Sequence, residues 1–224
     1  MKISIFGLGY VGTVTSACFA RNGHEVLGVD VNPLKVALLN DGKSPIVEDE
    51  IGDIVLQQVQ AGRLRATTDV ESAVAETNLS LICVGTPSNG NGSLSLGSVL
   101  NVTKSIALAL RNKKEFHVIV VRSTMVPGTV NRQLIPLLER ESGKKLGTGF
   151  GICFNPEFLR EGSSVRDFDS PPFTLVGVRD ETTADKVREL YAETKAPFLT
   201  SSLEVAETVK YGSNIFHALK IAFA

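Results

Sequence analysis

Short apolar runs alternate with amphipathic stretches along almost the whole chain. KISIFG, EVLGVD, LSLICVG, HVIVVRS, FGICFN, FTLVGV and APFLT are brief, rich in Val, Ile, Leu and Phe, and apolar at consecutive positions. Strands covered on both faces have this character, whereas a sheet with one wet face alternates apolar and polar residues. Between them, helical periodicity falls near residues 11–22, 33–40, 48–61, 69–76, 97–112, 129–141 and 182–193. Such a β-α alternation packs around a mainly parallel sheet with helices on both faces, an α/β doubly wound architecture. Ligands of these sheets bind beyond the carboxyl ends of the strands, so the loops there are where chemistry is expected.

The first such loop is GLGYVG, Gly7 to Gly12, set directly between a strand and a helix. In this G-x-G-x-x-G pattern Gly7 makes a tight turn, Gly9 lets the backbone approach a pyrophosphate, and Gly12 lets helix and strand pack closely. The helix start, at Tyr10 and Val11, then offers free N–H groups and a partial positive charge to phosphates. The next strand ends in Asp30, 18 positions after Gly12, close to the spacing at which a carboxylate takes the ribose hydroxyls of a dinucleotide. A carboxylate there repels a 2′-phosphate, so the expected cofactor is NAD and the domain Rossmann-type. Lys35, at the next helix start, either faces the cofactor ribose or is simply solvated.

The charge balance, 23 Lys and Arg against 24 Asp and Glu, argues against a nucleic acid or an acidic membrane surface as partner. ISIFGLG follows a single Lys and is broken by glycine too soon for a signal peptide, and no apolar run reaches the length of a membrane span, so a cytoplasmic protein is expected. The three cysteines, Cys18, Cys83 and Cys153, lack metal-ligand spacing and read as buried thiols, and no metal is expected.

The last stretch, EVAETVKYGSNIFHALKIAFA, reads as a helix with no stop signal. Lys210, Asn214 and His217 share one polar stripe roughly 60° wide, and Val205, Val209, Phe216, Leu219 and Phe223 lie on the opposite side. The reading is a Rossmann-like domain over residues 1–200 and, over 201–224, the start of a long interdomain helix that is cut short.

Four segments carry a more specific likeness: CVGTP (83–87), STMVPGT (123–129), NPEFLREG (155–162) and EVAETVKYGSN (204–214). Together they resemble the UDP-glucose/GDP-mannose 6-dehydrogenase family, in its order and over the whole chain. VDVNPLKVALLNDGKSPIVE, VVRSTMVPGTV and His217 lean toward the GDP-mannose branch. The resemblance implies an NAD-dependent double oxidation of a sugar nucleotide, C6 alcohol to carboxylate, in which the aldehyde is trapped on a cysteine, a second hydride transfer leaves a thioester, and hydrolysis of the thioester releases the carboxylate. It implies that Lys210 and Asn214 stabilise the alkoxide and contact substrate, that Glu157 is the general base with Thr124 orienting a water, and that Glu161 and His217 contact the substrate, GDP-mannose or UDP-glucose. It also implies cofactor contacts from Thr86, Thr124, Tyr10 and Val11, and a homodimer formed through the terminal helix.

The Gly-Gly-Ser-Cys-type loop that carries the family's nucleophile is not in this sequence, and neither is the family's second domain. Glu157 and Glu161 are also compatible with ordinary first-turn carboxylates of a helix after Asn155-Pro156, and Lys210 and Asn214 with the wet side of an amphipathic helix. A single-oxidation β-hydroxyacid dehydrogenase would need no cysteine but leaves NPEFLREG unexplained. A non-catalytic NAD-binding module would use the apolar stripe to recruit a partner.

Overall fold

Val118 and Val120 point to one side of their strand and Ile119 and Val121 to the other, and all four are buried. A period of two with apolar residues in both phases demands a cover on each face. The computed structural model, which describes residues 1–224, supplies both covers. In chain order the elements are β1 (Lys2–Phe6), α1 (Tyr10–Arg21), β2 (Glu25–Val29), α2 (Pro33–Asn40), α3 (Ile51–Gln60), β3 (Leu64–Thr67), α4 (Val70–Glu76), β4 (Leu79–Ile82), α5 (Gly97–Leu110) and β5 (His117–Val121). A π-helical turn (Val130–Leu134) then leads into α6 (Ile135–Ser142), followed by β6 (Phe150–Phe154), α7 (Ser164–Asp169), β7 (Thr174–Gly177), α8 (Glu181–Leu190), β8 (Phe198–Ser201) and α9 (Leu203–Phe223).

The eight strands form one sheet in the order β3-β2-β1-β4-β5-β6-β7-β8, parallel except where β7 meets β6. One core packs α1, α3, α7 and α8 against the sheet through Phe19, Val55, Phe168 and Val187. The other packs α4, α5, α6 and the start of α9 through Val74, Ile106, Leu138 and Ala206. The chain reverses direction of travel between β1 and β4, and the loops that leave these two neighbours diverge to open a crevice.

The doubly wound sheet agrees with the expectation from the sequence, with three differences. β3, LRAT, was not foreseen because exposed Arg65 interrupts its apolar run; it is an edge strand, and Arg65 pairs with Glu76. α7 was not foreseen because six residues are too few to show periodicity. β7 runs antiparallel to β6 over a single residue pair, Phe154 with Gly177, a direction that composition does not encode. Pro136, which has no N–H to give to the preceding turn, sits just past the place where the helix changes from π to α.

A polar chain crosses the amino-terminal end of this otherwise apolar sheet. His117 Nε2 and Ser80 Oγ lie 2.8 Å apart, Ser80 Oγ and Ser4 Oγ 2.8 Å, and Ser4 Oγ and Thr77 Oγ1 3.1 Å, all buried. Burial, aided by the nearby Lys113, pushes the His117 pKa down to about 3, so the folded state holds the ring neutral. The unfolded chain takes up a proton below about pH 6.5 and the native one does not, so this residue withdraws up to about 1.4 kcal/mol of stability per pH unit as pH falls from there. We predict that urea unfolding at a series of pH values gives His117→Asn a shallower loss of stability below about pH 6.5 than the wild type; identical slopes would mean that His117 titrates normally in the fold.

Candidate functional site

The glycine loop is shaped by contacts that only hydrogen at Cα permits. Gly7 has φ +98°, and a β-carbon on it would stand 2.9 Å from Val84 Cγ1 and 3.2 Å from the Cys83 carbonyl oxygen. A β-carbon on Gly12 would stand 1.7 Å from the Gly7 carbonyl oxygen, so α1 could not pack this closely on β1 with any other residue there. Gly9 is different: a β-carbon on it would meet no protein atom within 4 Å. Its lack of a side chain therefore serves something other than internal packing, and the residues fit a ligand that approaches the backbone at that point. Gly9 is also the N-cap of α1 without a side-chain cap, and the first turn contains no acidic residue, so its N–H groups and the helix dipole remain available to an anion.

Asp30 completes this end of the crevice. Its Oδ2 accepts from Leu8 N at 2.7 Å and its Oδ1 from Asn32 N at 2.9 Å, with Lys35 Nζ 3.8 Å from Oδ2. The carboxylate thus braces the glycine loop and still has lone pairs for a diol. Gly7, Gly9, Asp30, Lys35, Val84 and Asn101 line a cleft of about 380 Å³ at the β1/β4 reversal, a size suited to a small ligand or part of a larger one. The Tyr10 side chain turns away from this cleft, its hydroxyl donating to the Arg160 carbonyl oxygen at 3.1 Å. Of Tyr10 and Val11, it is the backbone that borders the loop.

A second cluster forms where the loops after β4, β5 and β6 meet α9. Thr86 Oγ1 donates to the Thr124 carbonyl oxygen at 2.9 Å, and Ser123 Oγ to the Val84 carbonyl oxygen at 2.6 Å, which fastens the first two loops together. Lys210 Nζ donates to Glu157 Oε1 at 2.9 Å and to the Glu157 carbonyl oxygen at 2.5 Å, and lies 5.3 Å from the centre of the Phe158 ring. Glu157 Oε2 accepts from Leu159 N at 2.9 Å. The side chains of this ion pair are only 7% and 12% exposed, so the wet-face reading does not hold for Lys210. The polar stripe of α9 faces the domain at Lys210, and the apolar stripe faces away, with Val205, Phe216 and Leu219 exposed. Asn214 and His217 continue the Lys210 face outward and are exposed, as is Glu161.

The lysine is held in place by residues to which the sequence reading gave no role. Glu207, one turn before Lys210 and fully buried, accepts from Gly128 N at 2.5 Å and from Val130 N at 2.9 Å. Burial raises its carboxyl above the ordinary value, against the pull of those two N–H groups. Arg122, directly after β5, is also buried: Nη1 donates to Asn155 Oδ1 at 2.5 Å and to the Tyr191 hydroxyl at 2.6 Å, and Tyr191 donates in turn to Asn155 Oδ1 at 2.6 Å. Asn155 Nδ2 donates to the Leu175 carbonyl oxygen at 2.9 Å, which fixes the start of the segment that carries Glu157. The available signal was position: Arg122 ends an uninterrupted apolar strand, and Glu207 shares the helix face of Lys210.

The cysteines are chemically quiet. Burial pushes Cys18 and Cys83 up to about 12, and Cys153 higher still, so none carries a thiolate near neutral pH.

The glycine-loop geometry predicts a separation of stability from binding. Gly9→Ser keeps a competent N-cap and has room, so unfolding free energy should stay within about 0.5 kcal/mol of wild type, while NAD affinity by calorimetry falls at least about tenfold, or 1.4 kcal/mol. Undiminished affinity would remove the pyrophosphate from this loop.

Comparison with known proteins agrees with this geometry. Residues 1–195 match the NAD binding domain of the UDP-glucose/GDP-mannose dehydrogenase family. The chain is 51% identical over all 224 residues to the GDP-mannose 6-dehydrogenase of Pseudomonas aeruginosa and covers 51% of that protein. It is 38% identical to the UDP-glucose 6-dehydrogenase AglM of Haloferax volcanii and covers 53% of it. It superposes with a TM-score of 0.97 on a ternary complex of the P. aeruginosa GDP-mannose dehydrogenase, all of this chain on 51% of that one, at 51% identity. Against a UDP-glucose dehydrogenase from Pyrobaculum islandicum the TM-score is 0.94 at 39% identity, with 99% of this chain and 51% of that one covered. The chain spans about half the length of the curated relatives it matches. No helix is long and apolar enough to cross a membrane. The chain belongs to the UDP-glucose/GDP-mannose dehydrogenase family, and residues 1–195 are its Rossmann-type NAD-binding domain.

Proposed function

We propose that these residues are the cofactor-binding half of a cytoplasmic NAD-dependent nucleotide-sugar 6-dehydrogenase that converts GDP-mannose to GDP-mannuronate. In this reading residues 1–200 are the NAD-binding domain, and residues 201–224 begin a helix that leads to a sugar-nucleotide domain beyond them. The observation that carries the reading is the buried pair of Lys210 and Glu157, 2.9 Å apart at the carboxyl end of the sheet. An ammonium held at this place meets the negative charge that develops on C6 oxygen as its proton leaves, and Asn214, one turn along, donates to the same oxygen. Glu157 takes the proton of a water oriented by Thr124 in the hydrolytic step. Glu161 and His217, both exposed, are left to contact the substrate. NAD would supply the hydride acceptor for each of two oxidations, and would be held by Gly7, Gly9, Gly12 and the backbone of Tyr10 and Val11, by Asp30 and Lys35 at the ribose, and by Thr86 and Thr124. The covalent step needs a thiolate, and the high thiol pKa values of Cys18 and Cys83 argue for a nucleophile from outside these residues.

The exposed apolar side of α9, with Phe216 60% and Phe223 85% accessible, supports a homodimer formed through this helix in the complete protein. The resemblance of the branch-distinguishing segments and the higher identity to GDP-mannose 6-dehydrogenases favour GDP-mannose over UDP-glucose.

Calorimetric titration followed by an activity assay tests the reading. NAD is expected to bind and NADP to bind at least about tenfold more weakly, because Asp30 faces the 2′ position. Neither GDP-mannose nor UDP-glucose should be oxidised by these residues alone. Oxidation of either would place the nucleophile within residues 1–224 and overturn the division of labour proposed here.

A further inference from the structure

Glu48 lies in the loop between α2 and α3, far in sequence from the segment after β6, yet it reaches that segment. Its Oε2 accepts from Gly162 N at 2.9 Å, and its Oε1 accepts from Ser164 N at 3.0 Å and from Ser164 Oγ at 2.8 Å. Against a burial cost, these bonds hold its carboxyl below the ordinary value, so it is ionised at neutral pH. The segment it grips is itself one unit: Arg160 N and Nη2 donate to the two oxygens of Asp167 at 3.0 and 2.6 Å, which closes residues 160–167 on themselves.

Tyr10 brings the dinucleotide loop to the same unit. It follows Gly9 directly, so its backbone belongs to the turn that meets the pyrophosphate, while its hydroxyl donates to the Arg160 carbonyl oxygen at 3.1 Å. Burial raises its phenol above the ordinary value, and the charge of Glu48 adds to this, while both side chains bond to the same short segment, Tyr10 at Arg160 and Glu48 at Gly162 and Ser164. Glu157 is three residues upstream of Arg160. The Tyr10 side chain thus ties the glycine loop to a unit that begins three residues after the carboxylate paired with Lys210.

We propose that Tyr10 and Glu48 are positioning residues that couple occupancy of the glycine loop to the placement of residues 157–164, Tyr10 as the link and Glu48 as the clamp. The coupling rests on the reading of this segment as facing the substrate. It predicts that the cofactor organises the segment before the sugar nucleotide arrives.

Amide hydrogen exchange of the 224-residue chain, with and without saturating NAD, tests it, because Gly162 N and Ser164 N are the donors to Glu48. In the wild type, NAD should slow exchange at both amides by about fivefold or more. Tyr10→Phe should keep the protection seen without NAD and lose the NAD-induced slowing, to less than about twofold. Glu48→Ala should lose both. If Tyr10→Phe folds poorly, Glu48→Ala decides through the amide of Leu159, which donates to Glu157, whose NAD-induced slowing should vanish. Full NAD-induced slowing in Tyr10→Phe, or at Leu159 in Glu48→Ala, would make these contacts merely structural and overturn the coupling. NAD binding without slowing in the wild type would overturn it while leaving the cofactor reading intact. Failure of the wild type to bind NAD would overturn both.

Discussion

The Gly7 carbonyl oxygen occupies the space where a β-carbon on residue 12 would have to be, 1.7 Å away. This contact sets how closely α1 approaches β1, and the approach sets where the helix N-terminus points. A β-carbon on Gly7 would crowd the Cys83 carbonyl, so the loops after β1 and β4 are fitted to each other where the chain reverses its direction of travel across the sheet. A side chain at residue 7 or 12 would push these parts apart and close the crevice or tilt its row of N–H groups. Gly9, the second loop glycine, has no internal neighbour to accommodate and leaves room for a ligand that approaches from outside.

The opposite side of the site relies on electrostatics in place of steric fit. A buried carboxylate is unfavourable unless its charge is met by hydrogen bonds. Glu207 is met by two backbone N–H groups at the start of a helix, where the aligned peptide dipoles add a partial positive charge. Because α9 is held there and again where Leu203 and Ala206 pack on Gly177, Lys210 arrives at Glu157 with little freedom left. Arg122, through Asn155, holds the partner of that lysine from beneath. Two buried charges, one from each side of the Lys210–Glu157 pair, therefore hold it in register, which is a reason to place polar groups where apolar ones would pack more cheaply.

What could be read in the sequence divides along physical lines. Strands such as HVIVV announce themselves because burial on both faces imposes one kind of residue, and GLGYVG does so because steric exclusion leaves only glycine. LRAT and SVRDFD did not, since an edge strand carries a polar residue and a six-residue helix completes fewer than two turns. Within the site, Asp30 and Lys210 were legible from spacing and resemblance. Arg122, Glu207 and Glu48 were not, because their partners are backbone groups or residues tens of positions away; the place of Arg122 after an apolar strand and that of Glu207 on the Lys210 face were the only local signs. The burial of Lys210 beside the exposure of Phe216 likewise runs against the ordinary expectation for an amphipathic helix, which a sequence shows as two faces without saying which one turns inward.

The central claim is that one crevice brings a dinucleotide from the glycine loop to the Lys210–Glu157 pair. A crystal structure of the chain with NAD tests it most directly. The account predicts the pyrophosphate over the N–H groups of the first turn of α1, an adenosine ribose hydroxyl on Asp30, and the nicotinamide ring toward Glu157 and Lys210. A dinucleotide seated with its ribose away from Asp30, or with its nicotinamide directed elsewhere than this pair, would contradict it.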